Sequence, residues 1–425
     1  MNTLEQLVLG LSKDKFALQL QALYGDDAPR QTQRLMEVAS AFEEHFGVRD
    51  AVAVFSAPGR SEIGGNHTDH NRGKVLAAGV NLDILGVVAK RDDMRILEQS
   101  VGHKRNDIEI TNLEIVPAET GKSAAMIRGI CAAFVQRGYL IGGFEAATHS
   151  EVLAGSGLSS SAAFEVFIAT VLNELYNGGE ITPVEIAQMC QYAENVYMGK
   201  PCGLLDQATC AVAGFVAMDF EDLKCPKVTK LDFDFEACGH ALCVVNTGGS
   251  HAGLTDDYAA VRTEMESVAK ALGYEVLRET TPENLMANLP KVREQCGDRA
   301  CLRALHFFAE NDRVDAQSKA LAENNFDAFL QLIKQSGQSS FMYNQNIYTG
   351  RPPSEQPVSL GLALSETILG NRGAWRVHGG GFAGTIQAFV PLDLLETYKT
   401  EMEAVFGPGS CYVLKVRPQG GVRVV

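Results

Sequence analysis

The sequence predicts a mixed helix-and-strand protein built in two halves. Three observations carry this. The chain has 425 residues, enough for two or more domains with cores of their own. Its hydrophobic period switches from helical to strand-like just after position 50. An acidic stretch, Asp232 to Cys238, stands between two runs of strand and helix patterns. Hydrophobic content of 46% and charged content of 21% are ordinary for a globular protein. A formal net charge of −15 argues against a general binder of nucleic acid or anionic membrane, while leaving room for a local nucleotide site. No stretch approaches the roughly 18 apolar residues of a membrane helix. Met1 to Lys15 lacks the basic-then-apolar pattern of a signal peptide. The cysteines are scattered with no C-x-x-C pair, so free thiols in a reducing, cytoplasmic setting are expected, without structural zinc.

Residues 1–50 read as a helical extension: Leu4, Leu7, Val8, Leu11, Leu20 and Leu23 recur near helical spacing, and Arg34 to Phe46 repeats the pattern. Val52 to Phe55 is a short apolar strand, and Ala57-Pro58-Gly59 signals a turn. Arg60 to Gly73 is the densest polar segment of the chain, set between that strand and the strand-like Val75 to Val88. Such a loop can present several hydrogen-bonding groups to a small polar ligand, or be merely a polar surface loop. His67 and His70 form H-x-x-H, but no H-E-x-x-H helix or partner cysteine supports a zinc pair. Ile108 to Val116 reads as strand and Ala124 to Gly138 as helix.

Between an extended run, Phe144 to Val152, and a helical pattern, Ala162 to Tyr176, lies Ala154-Gly155-Ser156-Gly157-Leu158-Ser159-Ser160-Ser161-Ala162-Ala163. Glycines let main-chain amides approach an anion, and the helix start carries partial positive charge. The stretch reads as a phosphate cradle or as a serine-rich helix cap; the Walker A lysine and spacing are missing. Thr182 and Pro183 open a further helix that carries Glu194, and Asp206 stands at the start of the next, where an acid is often only a dipole-stabilising cap. Phe215 to Phe220 and Ala241 to Val245 look like strands, succeeded by the glycine loop Asn246 to His251 and a polar helix through Tyr258. Near the end, Gly379 to Gly384 matches G-x-G-x-x-G. Thr385 to Val390, directly after it, is strand-like, so a tight strand–strand turn fits better than a dinucleotide site.

Four stretches in register resemble one family. Ala57-Pro58-Gly59-Arg60 with Gly65 and His67-Thr68-Asp69 resembles the sugar-binding signature of galactokinases. Gly155 to Ala163 resembles the phosphate loop of the wider GHMP kinase superfamily, Pro201 to Gln207 the galactokinase segment with the catalytic Asp, and Arg376 with Gly379 to Gly384 the third, glycine-rich motif. The resemblance implies an α+β fold of two domains, a ribosomal-protein-S5-domain-2-like one (51–235) and a ferredoxin-like one (236–425), with the active site in the cleft between them. It implies transfer of the γ-phosphoryl of ATP to the anomeric hydroxyl of galactose or a close galactose-configured sugar. In that reading Asp206 orients or accepts the hydroxyl proton and Arg60 keeps Asp206 ionised. Amides of Gly155, Ser156, Gly157, Leu158, Ser159, Ser160 and Ser161 hold the phosphates, and Ser161 and Glu194 hold Mg²⁺. Asn66, His67, Asp69, His70 and Tyr258 face the sugar. The expected partners are sugar and ATP alone, with no nucleic acid or membrane, in a monomer or weak homodimer.

Departures from the family pattern bear on the sugar. The Glu usual before the signature His is Asn66, the usual Tyr after the Asp is His70, and Arg72 replaces a usual Gly. A Glu beside a uronate would oppose like charges in a partly dry pocket, so galacturonate is an alternative substrate. A catalytically silent sugar sensor on the same fold is a third reading, disfavoured by the retained Ser160, Ser161, Asp206 and Arg60. An NAD-dependent oxidoreductase rests on Gly379 to Gly384 alone.

Overall fold

A computed structural model describes residues 2–152, 157–200, 202–249, 253–349 and 354–425. Helices α1 (Leu4–Ser12), α2 (Ala17–Tyr24) and α3 (Ala28–Phe46) form where the spacing predicts them. Thr3 and Gln6 close a capping box at the start of α1. Leu4, Leu7, Leu11, Leu20, Leu35, Val38 and Phe42 are buried in one cluster with Val52, Val54, Leu85, Val87 and Val424. The extension therefore covers a sheet face, and each such side chain is worth about 1.5–3 kcal/mol when fully buried.

Strands β1 (Ala53–Gly64), β2 (Lys74–Lys90), β3 (Arg95–Ser100), β4 (Asn106–Glu109), β5 (Phe144–Ser150), β6 (Phe215–Asp219) and β7 (Lys227–Leu231) belong to the larger sheet. Strands β8 (His240–Asn246), β9 (Ala374–Val377), β10 (Thr385–Pro391) and β11 (Cys411–Leu414) make a second, antiparallel sheet in the order β11-β8-β10-β9. Strand β12 (Val422–Arg423) returns to the first sheet, whose order is β12-β1-β2-β5-β3-β4, with β6 on β2 and β7 on β6. Helices α4 (Ser123–Gln136), α5 (Ser160–Tyr176), α6 (Pro183–Tyr192) and α7 (Leu205–Val212) complete the first half. Helices α5 and α7 pack on β1 and β2. The second half adds α8 (Thr255–Ala271), α9 (Pro282–Ala287), α10 (Leu289–Cys296), α11 (Asp298–Ala322), α12 (Phe326–Ser339), α13 (Pro357–Leu369) and α14 (Leu395–Phe406).

Two expectations change. The turn expected at Ala57 to Gly59 is instead the middle of β1, which runs on to Gly64; only the register with β2 breaks there, between Pro58 and Arg60. Gly59 is small because Leu158 comes close: a Cβ there would stand 2.8 Å from the Leu158 carbonyl oxygen. The strand expected over Ile108 to Val116 stops at Glu109, since Asn112 accepts from the Glu114 amide and turns the chain. The stretch Asp232 to Cys238 joins β7 to β8, and its Phe233 and Phe235 rings pack with Phe215, Phe326 and Phe389 in a core that spans both sheets.

Buried Asp83 on β2 gathers one residue from each of four segments. It accepts from Arg34 Nη1 at 2.6 Å, Arg417 Nη1 at 3.0 Å, Tyr24 Oη at 2.6 Å and Ser56 Oγ. Arg34 also donates to the His149 carbonyl oxygen, and with Arg30 and Gln31 it holds Glu151 at the end of β5. All the cysteines are unpaired. Among the described residues no helix is long and apolar enough to cross a membrane.

Candidate active site

Side chains one residue apart in a strand point to opposite faces, so Arg60 and Glu62 of β1 share a face. That face opens on a cleft of about 250 Å³ lined by Arg60, Glu62, Asn66, His67, Asp69 and Asp206, with Gly379 and Gly380 from the second half opposite. Asp206 sits in the first turn of α7. Its Oδ1 accepts from Arg60 Nε at 2.8 Å and its Oδ2 from Ser159 Oγ at 2.6 Å. Burial pushes the Asp206 carboxyl up, but Arg60 more than offsets this and holds it below the ordinary aspartate value.

Arg60 also fixes the turn that leads into α5. Its main-chain amide donates to the Leu158 carbonyl oxygen at 3.0 Å and its Nη1 to that of Gly157 at 2.6 Å. Ser159 is left-handed, with φ of 57°, and spends its hydroxyl on Asp206 instead of capping α5. The first-turn amides of α5, at Ser160 and Ser161, thus have no side-chain cap, which fits an anion there. Gly155 and Ser156, expected in the same cradle, lie outside the described residues, as does Pro201.

Glu194 is buried in a wide helical turn after α6. It accepts from Lys200 Nζ at 2.6 Å and from Gln207 Nε2 at 2.7 Å. The Lys200 side chain is mostly exposed, so a displaceable ammonium balances a buried carboxylate. An oxygen donor whose counter-charge can leave suits Mg²⁺. Gln207 also reaches Glu165, whose carboxyl burial and the nearby Glu194 push well above its ordinary value.

The polar loop after β1 divides. Asp69 lines the cleft, with its carboxyl raised by burial. His67 points Nε2 at the Gly380 carbonyl oxygen, 2.9 Å away, so that nitrogen carries the proton and Nδ1 remains an acceptor when the ring is neutral. Asn66 is buried and fully engaged: Nδ2 donates to Glu62 Oε1 and the Gly379 carbonyl oxygen, and Oδ1 accepts from Ser340 and Asn346. It braces the cleft and has no bond left for a ligand. His70 and Tyr258 stand outside the lining. Burial drives His70 down to about 3, and its Nδ1 faces the Asn71 amide. Tyr258 Oη donates to the Gly381 carbonyl oxygen at 2.7 Å, behind the glycine turn. Among the described residues no group of three or more His, Cys, Asp and Glu side chains is placed to hold a metal ion by itself.

Glu62 escaped the sequence reading. The signal was its place two residues after Arg60, hidden because that segment reads as loop. Gly379 to Gly384 joins the antiparallel pair β9 and β10 and opens no helix, which removes the dinucleotide reading.

Known proteins resemble this chain in both sequence and fold. Residues 125–214 match the GHMP kinases N terminal domain, and residues 40–90 match the galactokinase galactose-binding signature. A galactokinase of Streptomyces coelicolor is 30% identical over 394 residues, spanning 91% of this chain and 97% of that protein. The fold resembles the Lactococcus lactis galactokinase solved with galactose, at a TM-score of 0.76 and 24% identity over 92% of this chain and all of that one (100%). It also resembles the Methanococcus jannaschii mevalonate kinase, at a TM-score of 0.62 and 15% identity over 87% and 99% of the two chains. The chain belongs to the galactokinase family of GHMP kinases, and is a sugar kinase.

Proposed function

We propose that this kinase transfers the γ-phosphoryl of ATP to the anomeric hydroxyl of galactose or a close galactose-configured hexose. The observation that carries the reading is Asp206, held between Arg60 and Ser159 where the sugar cleft meets the start of α5. When bound, ATP supplies the phosphoryl group and Mg²⁺ offsets charge on its terminal oxygens.

The chain's own residues supply positioning and charge. Asp206, kept ionised by Arg60, accepts the hydrogen bond of the C1 hydroxyl and takes its proton as the new O–P bond forms and the bond to ADP breaks. Arg60, at the same junction, offsets charge developing on the transferred group. The amides of Gly157 to Ser161 face the phosphates, with Ser161 and Glu194 as the metal's oxygen ligands. Asp69 and His67 bind sugar hydroxyls. Residues 51–235 and 236–425 serve as the two domains, with β12 lent back to the first, in a monomer or weak homodimer.

The test is ADP release with galactose and Mg-ATP, with the product read by phosphorus NMR. ADP formation that depends on sugar, with phosphate on C1, is expected. No ADP above the sugar-free rate would refute the reading.

A further inference from the structure

A carboxylate oxygen stands open in the sugar cleft, and it belongs to Glu62, not to position 66. Glu62 Oε1 is committed: it accepts from Arg376 Nη2 at 2.9 Å and from Asn66 Nδ2 at 3.0 Å. Its Oε2 takes no hydrogen bond from the described residues, and the side chain keeps 13% exposure on the cleft wall. Both braces are themselves immobilised. Arg376 is fully buried and also donates to the Ile63 carbonyl oxygen, while Asn66 is anchored through Gly379, Ser340 and Asn346. A carboxylate fixed on one oxygen and free on the other is a preorganised acceptor for a hydroxyl group.

The charges around it add a second constraint. Arg60 is paired with Asp206 and Arg376 with Glu62. Asp69 lines the same cleft with no cation in a salt bridge to it among the described residues. Both arginines at the cleft are thus spent on carboxylates, and among the described lining residues only the His67 imidazole, which faces Asp69, can add positive charge for an acidic ligand.

We propose that Glu62 is the specificity-determining residue of the sugar site, accepting a hydroxyl hydrogen bond through Oε2 and selecting neutral hexoses against hexuronates. The proposal rests on the sugar-kinase reading above. It sets aside the expectation that Asn66 opens the site to a uronate, because the carboxylate is present four residues earlier.

The experiment compares kcat/KM for galactose and galacturonate in the unaltered enzyme, Glu62→Gln and Glu62→Asp. The unaltered enzyme is expected to favour galactose by at least about 100-fold, the scale of a few kcal/mol for like charges in a dry pocket. Glu62→Gln removes the charge and should narrow that ratio at least about tenfold, chiefly through KM. Glu62→Asp keeps a charge beside Arg376 but shortens its reach, so it should weaken galactose binding in a direct titration while still refusing galacturonate. A general folding defect would lower both sugars together and leave the ratio alone. Preference for galacturonate in the unaltered enzyme, or a ratio unmoved by Glu62→Gln, overturns the proposal while leaving the kinase reading intact. Absence of ADP release with either sugar sinks the kinase reading, and this proposal with it.

Discussion

Replacing Arg34 by Met tests how firmly the helical extension is bound into the kinase. Arg34 is 4% exposed and Asp83 is 0% exposed, so their 2.6 Å contact is a buried ion pair. The change also removes the donors to the His149 and Asp83 carbonyl oxygens. Breaking a buried pair by removing one partner costs about 3–5 kcal/mol. Asp83 keeps Arg417, Tyr24 and Ser56, so the lower end, about 3 kcal/mol, is expected out of the roughly 5–15 kcal/mol that folded proteins possess. Urea unfolding should show a lower midpoint at unchanged slope. The acid limb should move too. Burial raises the Asp83 carboxyl, but Arg34 and Arg417 hold it below its ordinary value. Its stabilisation is therefore complete above the unfolded carboxylate pKa and lost as pH falls through the folded one. Without Arg34 the folded value rises, so acid unfolding should begin at higher pH. Turnover well below the new midpoint should persist, since Arg30 and Gln31 still hold Glu151. A stability loss under about 1 kcal/mol would refute the reasoning, because that is the range of an exposed pair.

Other consequences can be checked separately. Asp206→Asn preserves shape but not proton acceptance, so kcat should fall by about 10²–10⁴-fold while calorimetry still detects sugar; turnover within tenfold of the original would mean that another group acts. In pH–rate profiles, Asp206 is held low and Asp69 is raised. As pH falls, Asp69 should protonate first, so the sugar KM should climb before kcat declines; the reverse order would contradict the assigned roles. Gly59→Ala places a Cβ 2.8 Å from the Leu158 carbonyl oxygen and 3.0 Å from Val152 Cγ1. Displacing either should cost about 1–3 kcal/mol and raise the KM for ATP more than that for sugar, read by varying each substrate in turn.

Much of this site was legible where side chains act near their own sequence neighbours. The helix starting at Ser160, the cap at Thr182 and the turn at Gly379 to Gly384 each arise from local chemistry. The pairing of Asp206 with Arg60 follows only from the resemblance, since no local rule brings together residues from α7 and β1, and the bond from Ser159 to Asp206 has no signal in the sequence. The features that stayed hidden depended on strand pairing. Pro58-Gly59 reads as a turn in isolation, yet in the sheet it marks only a slip of register, and the strand that continues past it carries Glu62 onto the face of Arg60. Asn66 reads as an open donor until its partners on Ser340, Asn346 and Gly379 are seen. Short polar strands such as β3 and β7 lack the apolar alternation that would announce them.

The outer edge of β1 is closed by β12, with Val54 and Val424–Val425 exchanging main-chain hydrogen bonds. A nascent polypeptide makes β1 long before its covering strand. Until β12 emerges, the segment that carries Arg60 and Glu62 therefore offers a bare ribbon of amides and carbonyls to other growing chains. Removing residues 422–425 should leave that ribbon open permanently, and the yield of dispersed protein after expression should drop even though no residue of the cleft has been touched.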